Sequence, residues 1–370
     1  MAATDTLPLV GAGSTTAAAD RLYRPQLDAL RFLAFFSVFL FHATRGLRNI
    51  GLLGALCDAG AYGMCVFFIL SSYLITTLLV RERARFGTIH VRAFYVRRAL
   101  RIWPLYFAFL GTNYVAGYFV HTLHVETPRL LAFLLMMGNW YVASAGFGAS
   151  PIYPLWSISL EEQFYLVWPA LVSTSRKFLL WASCALVPIS LASILVLCLR
   201  GATPDQIWVN SFAQFLFFAC GSLLAIHEVK KSVGEHAGRG VFLLLLGFGS
   251  WWAIEAAFHL KAKTFIVNAG GFTTGYAVVA LSCVGILYGI LSIPGRWVPA
   301  WPRYLGKISY GLYVFHKLCL DHATRSHNWA VNVALALTAT IACAAISYQF
   351  LEKPFLSLKD RFEFVHSRPA

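Results

Sequence analysis

Two ionisable residues, Arg31 and His42, lie in the first long apolar run of the chain, where charge is costly and usually marks function. Their spacing is close to three helical turns, so they share one helical face with Asp28 and lie about 16 Å apart along the axis. Because neutral imidazole accepts a proton near pH 7, we predict that His42 is a general base. The structural alternative is an interfacial Asp28–Arg31 ion pair and an ordinary interhelical hydrogen bond from His42.

Two adjacent carboxylates, Glu161 and Glu162, open another apolar helix. Ser157, Glu161 and Tyr165 are spaced four residues apart and so share one face. A carboxylate on that face would orient a histidine and stabilise its imidazolium form, as in catalytic triads. The alternative is that acidic residues favour the N-terminus of a helix, which accounts for one carboxylate better than for two.

A third group is the arginine run Arg97, Arg98 and Arg101, which directly precedes an apolar segment. Guanidinium groups bind phosphates with forked geometry, so these arginines are candidate ligands of an anionic substrate. Arg98 and Arg101 are three residues apart and share a helical face. The alternative is an anchor for lipid headgroups that also sets the topology.

The fourth group is Tyr310, Tyr313 and His316 in another apolar run. Taken singly, each of these side chains fits a structural hydrogen bond at least as well as a catalytic role. The pair His121 and His124 has a spacing compatible with a metal, but a surface loop is the better interpretation. Since no established metal-binding motif is present, we predict no metal site.

The composition shows what must hold these residues in place. The chain has 370 residues, of which 58% are hydrophobic and 12% charged, with a net charge of +14. A soluble protein of this length cannot bury so much apolar side chain, so the sequence predicts an all-α polytopic membrane bundle. The basic charge does not indicate nucleic-acid binding, because no hydrophilic segment is long enough to form a nucleic-acid-binding domain.

A spanning helix needs about 20 mostly apolar residues. Ten segments meet this requirement: 27–44, 58–80, 102–120, 156–175, 178–199, 207–227, 240–260, 265–293, 308–325 and 329–351. The shorter run 129–142 is interpreted as a re-entrant or surface segment, or as half of a broken span. If 129–142 does not cross, every Lys/Arg cluster between the spans falls on one side of the membrane. The positive-inside rule then predicts that both termini are cytoplasmic. Residues 1–22 and 356–370 are expected to be cytoplasmic tails, the first of them disordered.

These segments, in chain order, resemble the membrane acyltransferase 3 family. The matching segments are Tyr23-Arg24-Pro25 with Asp28 to Arg31, the Arg31-to-His42 spacing, Val66 to Thr76, Arg98 and Arg101 with Trp103-Pro104, Trp156 to Pro169, and Ser309 to His316. The family usually has glycine where this chain has Ala29 and Ser72, and Ser72 is expected to affect a helix contact or the width of a tunnel.

The resemblance implies a ten-helix O-acyltransferase domain over 23–355, in the inner (plasma) membrane of a bacterium and without a fused periplasmic domain. It implies that acetyl-CoA or another acyl-CoA is the donor, and that a carbohydrate or glycolipid hydroxyl is the acceptor. Such acceptors include exopolysaccharide, lipopolysaccharide, lipid-linked sugars and Nod factors. The resemblance implies catalytic roles for His42, Glu161 and Arg31 and donor binding by Arg98 and Arg101. From its position in the same run, Arg97 is predicted to join the donor site. The residues predicted near the acceptor or in support of the others are Asp28, Ser157, Glu162, Tyr165, Tyr313 and His316.

Two other functions place ionisable groups in membrane spans. One is acylation of a macrolide-type small molecule. The other is a transporter or flippase of a polar lipid or sugar, which also needs polar residues within its spans and basic residues in its cytoplasmic loops. A transporter moves its substrate intact, whereas an acyltransferase leaves a new ester. A lipid-binding structural subunit would leave unexplained why Arg31 and His42 share one helical face within an apolar run.

Overall fold

The computed structural model describes residues 23–44, 51–228, 233–261, 268–322 and 328–362. Within these ranges the chain forms helices and turns, with no β-strand, so the predicted all-α membrane bundle is confirmed. Several predictions concern Arg21, Lys230, Lys231 and the terminal residues 1–22 and 363–370, which lie outside the described ranges.

The α-helices of the described residues are numbered in chain order. Their bounds are α1 Pro25–Ala43, α2 Gly51–Ala59, α3 Gly63–Phe86, α4 Val91–Ala116, α5 Thr127–Leu134, α6 Gly138–Ala145, α7 Trp156–Ser173, α8 Arg176–Leu199, α9 Pro204–Val209, α10 Ser211–Glu228, α11 Ala237–Phe258, α12 Ala269–Ser292, α13 Ala300–Lys307, α14 Ser309–His322, α15 Trp329–Ser347 and α16 Lys353–Lys359. A π-helical turn, Tyr348–Glu352, joins the last two helices.

Each of the ten predicted spans contains a helix. Over the described residues, seven segments are long and apolar enough to cross a membrane: Pro25–Ala43, Gly51–Phe86, Arg176–Leu199, Ser211–Glu228, Ala237–Phe258, Ala269–Ser292 and Trp329–Lys359. The other three predicted spans are α4, α7 and α14. Polar residues interrupt the first two, and α14 has only 14 residues. These three helices carry predicted site residues, as does α1, which is among the seven apolar segments.

The doubtful segment 129–142 forms parts of two short helices, α5 and α6, of eight residues each. Eight helical residues cover about 12 Å, well short of a bilayer core of about 30 Å. Met136 lies between the two helices with a positive φ of 55°, and its carbonyl accepts a hydrogen bond from the Gln163 amide of α7 at 3.0 Å. The segment is thus not a continuous span, and it is attached to the start of α7.

Basic residues from distant parts of the chain meet at one end of the bundle. The hydrogen bonds that join them there are Arg24 Nη1 to Glu228 Oε1 at 2.7 Å, Arg83 Nη1 to the Val172 carbonyl at 2.9 Å, Arg176 Nη2 to the Ile226 carbonyl at 3.0 Å, and Arg97 Nη1 to the Phe362 carbonyl at 2.6 Å. We call this the basic end. Helices α1, α4, α8 and α14 start at or near it, and α3, α7, α10 and α12 finish there.

Candidate active site

A cavity lies among helices α1, α3, α4, α7 and α14. Its polar lining comes from Arg31, Ser71, Arg98, Arg101, Ser157, Glu161, Tyr165, Ser309, Tyr310 and Tyr313, and its apolar lining from Met64, Phe67, Leu70, Leu74, Ile102 and Ile158. All four motif groups of the sequence analysis therefore contribute to one cavity, although they are far apart in the chain.

The three candidate donor-binding arginines separate into two sets. Arg98 and Arg101 line the cavity, as their shared helical face predicts. The buried Nε of Arg98 has no hydrogen-bond partner among the described residues. Arg97 is directed elsewhere: it is buried, and its Nη2 lies 3.2 Å from Glu82 Oε2. Arg97 thus has the contacts of a structural residue that fastens α4 to the end of α3.

Arg31 lines the cavity and also forms the ion pair with Asp28 that was offered as the structural alternative. The two interpretations are compatible, because the carboxylate holds a guanidinium that faces the cavity. Asp28 itself is buried and is not a lining residue. Its contact with Arg31 gives it a supporting position behind the cavity wall.

Glu161 faces the cavity together with Tyr165. The Tyr165 hydroxyl donates to Glu161 Oε2 at 2.7 Å and lies 2.5 Å from Ser71 Oγ on α3. The Arg98 guanidinium carbon lies 5.9 Å from the Tyr165 ring centroid, within the range of a cation–π contact. Glu161 is thus part of the arginine-lined end of the cavity.

Glu162 has a different environment from its neighbour. It accepts a hydrogen bond of 3.3 Å from the Trp103 indole of α4 and is not one of the residues that line the cavity. Its contact joins α7 to α4. The position of the two carboxylates therefore favours Glu161, rather than Glu162, as the one that can meet a substrate.

Ser157 and Tyr313 mark the middle of the site. Ser157 Oγ lies 2.8 Å from the Tyr313 hydroxyl, which also donates to the Pro154 carbonyl at 2.6 Å. Both residues are buried and both line the cavity. The Tyr313 ring also packs against His316, with 5.4 Å between the ring centroids. Tyr313 is therefore the connection between the cavity and the histidines beyond it.

His42 lies in a cluster with His316 and Tyr153. The centroids of the two imidazole rings are 5.1 Å apart, and His42 Nδ1 lies 3.2 Å from the Tyr153 hydroxyl. His316 is fully buried, and its Nδ1 lies 2.5 Å from the Tyr313 carbonyl. Because a carbonyl only accepts, Nδ1 of His316 carries the proton, and Nε2 is the basic nitrogen of its neutral ring.

The helix directions give the order of these groups along the bundle. Helix α7 runs toward the basic end, so Glu161 lies about 6 Å below the level of Ser157. Helix α14 runs away from the basic end, so His316 lies about 4.5 Å above the level of Tyr313. Glu161 and the histidines are thus about 10 Å apart in depth. The orienting role of Glu161 on His42 stays a prediction, since Glu161 accepts a hydrogen bond from Tyr165, whereas the His42 ring contacts Phe41, Tyr153 and His316.

Three residues of the site were not singled out from the sequence: Ser71, Tyr153 and Lys317. Lys317 is buried, pairs with Asp321 one turn away, and has its ammonium 5.4 Å from the Tyr153 ring centroid. A lysine in an apolar run is itself a sign of a functional site, and Lys317 directly follows His316 in the sequence. Tyr153 offered no comparable signal, because its partner lies in α1.

Ser72 is directed away from the cavity. It is fully buried and donates to the Ile69 carbonyl at 3.1 Å. A Cβ atom at Gly221 of α10 would collide with Ser72 Oγ, so the two helices meet closely at this point. Of the two predicted effects of Ser72, the structure supports the helix contact, and Ser71 is the serine that faces the cavity.

The arrangement combines an anion-binding region with a proton-accepting region. Arg31, Arg98 and Arg101 provide positive charge at one end of a cavity, and two imidazoles lie beyond its other end. A long anionic donor with its reactive group at the far end fits this order. Among the described residues, no group of three or more His, Cys, Asp or Glu side chains is placed to hold a metal ion.

The sequence matches a family model described as an acyltransferase domain (acyltransferase 3) over residues 24–348. The chain is 25% identical to the peptidoglycan O-acetyltransferase OatA of Listeria monocytogenes, over 94% of this chain and 59% of that protein. It is 26% identical to the protein YrhL of Bacillus subtilis, whose name assigns it the same reaction provisionally, over 90% of this chain and 55% of that protein. The chain thus spans less than two thirds of the length of either relative. No solved structure matches it.

Proposed function

The chain belongs to the acyltransferase 3 family, and we propose that it is a membrane O-acetyltransferase that moves an acetyl group from acetyl-CoA to a hydroxyl of a cell-surface glycan. The observation that carries the proposal is the cavity lined by three arginines and a carboxylate, in which the lining residue Tyr313 packs against His316, the neighbour of His42. The glycan acceptor is suggested by the relatives that are named peptidoglycan O-acetyltransferases.

The donor binds with its phosphates at the basic end. Arg98 and Arg101 supply guanidinium groups in the cavity, and the unpartnered Nε of Arg98 is a donor available to a phosphate oxygen. Arg31 extends the positive charge toward the middle of the site. The pantetheine arm then runs along the apolar wall formed by α3 and brings the thioester to the level of Tyr313. Arg97 is left out of this assignment because it pairs with Glu82.

His42 is the general base. It removes the proton from the acceptor hydroxyl as the hydroxyl oxygen attacks the thioester carbonyl. A carbon–oxygen bond forms and the carbon–sulfur bond breaks, so that an acetyl ester and CoA thiolate are the products. The imidazolium of His42 then returns its proton to the thiolate. Ser157 and Tyr313 line the cavity at this level, where the Tyr313 hydroxyl is fixed by the bond that it donates to the Pro154 carbonyl.

Glu161 acts at the arginine-lined part of the cavity. Its carboxylate faces the same space as Arg98 and Arg101 and accepts a hydrogen bond from Tyr165. In this position it fixes the arginines for the donor and shapes the path of the pantetheine arm. Its influence on His42 is exerted over about 10 Å and is electrostatic rather than a direct hydrogen bond.

The basic end is the cytoplasmic face in this proposal. The positive-inside rule favours that orientation, since Arg24, Arg83 and Arg176 are joined there, and it puts both termini in the cytoplasm. Cytoplasmic acetyl-CoA then reaches the arginines directly. The histidine cluster lies toward the outer face of the bacterial inner membrane, from which a glycan hydroxyl approaches.

Membranes that contain the full chain test the proposal. They are incubated with radiolabelled acetyl-CoA and peptidoglycan fragments, and alkali-labile label on the glycan is measured. Ester formation that depends on the chain supports the proposal. Passage of an intact glycan or lipid across the membrane without a new ester would instead identify a transporter. Label on a macrolide, but not on any glycan, would keep the reaction and overturn the acceptor.

A further inference from the structure

We propose that Tyr153 is a positioning residue for His42: its phenol oxygen holds Nδ1–H of the imidazole, so that Nε2 is the nitrogen presented to the acceptor hydroxyl. The inference rests on the proposed function, since it assigns the group that orients the base of that reaction. It transfers to Tyr153 the orienting role that the sequence suggested for Glu161.

Tyr153 is held firmly enough for this role. It begins the 3₁₀ turn Tyr153–Leu155 that leads into α7, and it is only 6% exposed. Its ring packs against Phe147 at 5.4 Å and against the His42 ring at 5.8 Å between centroids. Because the Tyr153 ring is packed on these sides, it cannot move with the His42 imidazole. The orientation of the imidazole is therefore set by the fixed position of the Tyr153 hydroxyl.

The ion pair of α14 adds a further restraint. The Lys317 ammonium lies 5.4 Å from the Tyr153 ring centroid, where a cation interacts favourably with the π face. Asp321, one helical turn further on, forms an ion pair with Lys317 and fixes the ammonium in that position. The ring of Tyr153 is therefore held from α14 as well as from the loop that contains Phe147.

The chemistry of the base decides the direction of the hydrogen bond at His42. If Tyr153 donated to Nδ1, a neutral His42 would carry its proton on Nε2 and that nitrogen could accept none. If Nδ1–H donates to the phenol oxygen, Nε2 has the lone pair. The same bond persists after Nε2 has taken the proton, because both nitrogens of imidazolium are donors. Tyr153 therefore serves as an acceptor in both states of the base.

The position of Glu161 excludes it from a direct version of this role. The carboxylate is hydrogen-bonded to Tyr165 and lies about 10 Å closer to the basic end than the histidines. Tyr153, in contrast, is 3.2 Å from Nδ1. Tyr153 is therefore placed to form the orienting hydrogen bond with His42.

The test is a kinetic comparison of the full chain with Tyr153→Phe and Tyr118→Phe. The assay uses radiolabelled acetyl-CoA and peptidoglycan fragments. Tyr153→Phe removes only the hydroxyl and should lower kcat about tenfold, with the KM for acetyl-CoA within about twofold of wild type, since one orienting hydrogen bond is lost far from the phosphates. Tyr118→Phe removes the hydroxyl of an exposed tyrosine that bonds to Tyr114 and does not line the cavity, so it should retain most of kcat.

A readout independent of activity is the rate at which diethyl pyrocarbonate modifies His42, followed by mass spectrometry of its peptide. Tyr153→Phe should speed this modification several-fold, because the ring is no longer held, while the fully buried His316 stays protected. The inference is overturned if wild type forms ester and Tyr153→Phe leaves both kcat and the rate of modification at His42 unchanged. A wild-type protein that forms no ester would instead overturn the proposed function, with the modification rates still reporting on the contact.

Discussion

The rings of His42 and His316 lie 5.1 Å apart and are inclined by 37°, although one belongs to the first helix and the other to the fourteenth. His316 therefore lies directly beside the residue proposed as the base. The His316 ring is held by its hydrogen bond to the Tyr313 carbonyl, so it gives His42 a fixed surface to pack against.

We expect His316→Ala to lower kcat by about tenfold or more, because the packing of His316 against His42 and its contact with Tyr313 are lost together. The matched control is His322→Ala on the same helix. His322 is exposed and bonds to Thr122 Oγ1 at 3.1 Å, away from the cavity. Steady-state rates of ester formation compare the two variants. Equal loss in both would show that His316 acts only through the stability of α14.

The arginines of α4 are predicted to differ in whether their loss changes the KM for acetyl-CoA or the stability of the protein. Arg98→Ala and Arg101→Ala should raise the KM for acetyl-CoA about tenfold each, since a guanidinium that binds phosphate contributes one to a few kcal/mol. Arg92→Ala, an exposed position on the same helix, is the control and should leave KM unchanged. An unaltered KM in the two cavity variants would move the donor site elsewhere.

Arg97→Ala should act on stability instead. It breaks a buried ion pair with Glu82 and a hydrogen bond to the Phe362 carbonyl. The buried Glu82 carboxylate thereby loses one of its native partners. We expect a thermal midpoint several degrees lower than wild type in detergent, with KM for acetyl-CoA unchanged in the protein that remains folded. A raised KM without loss of stability would return Arg97 to the donor site.

The role of Glu161 can be resolved by double-mutant cycles on kcat/KM. Glu161→Gln is combined with Arg98→Ala in one cycle and with His42→Gln in the other. The distances predict strong coupling to Arg98 and weak coupling to His42, because residues that share a site couple by about 0.5–3 kcal/mol and distant residues combine additively. The reverse pattern would restore the triad-like interpretation, in which Glu161 orients the imidazole.

The acyl group is expected to lie against α3 near Phe67, whose ring packs on Tyr313 at 6.2 Å. Phe67→Ala should therefore raise the ratio of butyryl to acetyl transfer about tenfold, since each added methylene in an apolar pocket is worth roughly 1–3 kcal/mol. Competition between the two acyl-CoA donors measures the ratio. Ser72→Gly is the control, because Ser72 faces Gly221 and not the cavity. A similar change in both variants would argue against an acyl pocket at Phe67.

Much of this site was predictable because its residues are unusual in their local surroundings. Arg31, His42 and Glu161 are ionisable residues in apolar runs, and helical periodicity correctly assigned Arg98 and Arg101 to one face. Arg97, which the sequence analysis grouped with them, lies on another side of the same helix and pairs with Glu82. These inferences use only neighbours within a few turns, which the sequence contains in full.

The remaining relationships depend on contacts between distant helices. Nothing close to Tyr153 in the sequence indicates that its hydroxyl meets His42, and nothing near Glu161 indicates that it stays about 10 Å below the histidines in depth. Both facts follow from the opposite directions of α7 and α14 and from the level at which Ser157 meets Tyr313. Packing of whole helices sets that level, and no local pattern records it.

The central claim is that His42 is the base of an acetyl transfer, and purified protein in lipid vesicles tests it most directly. Wild type and His42→Ala are supplied with radiolabelled acetyl-CoA and peptidoglycan fragments, and alkali-labile label on the glycan is counted. The account predicts ester formation by wild type and a loss of at least about 100-fold in His42→Ala, with equal insertion and equal binding of acetyl-CoA. Full ester formation by the His42→Ala protein would contradict it.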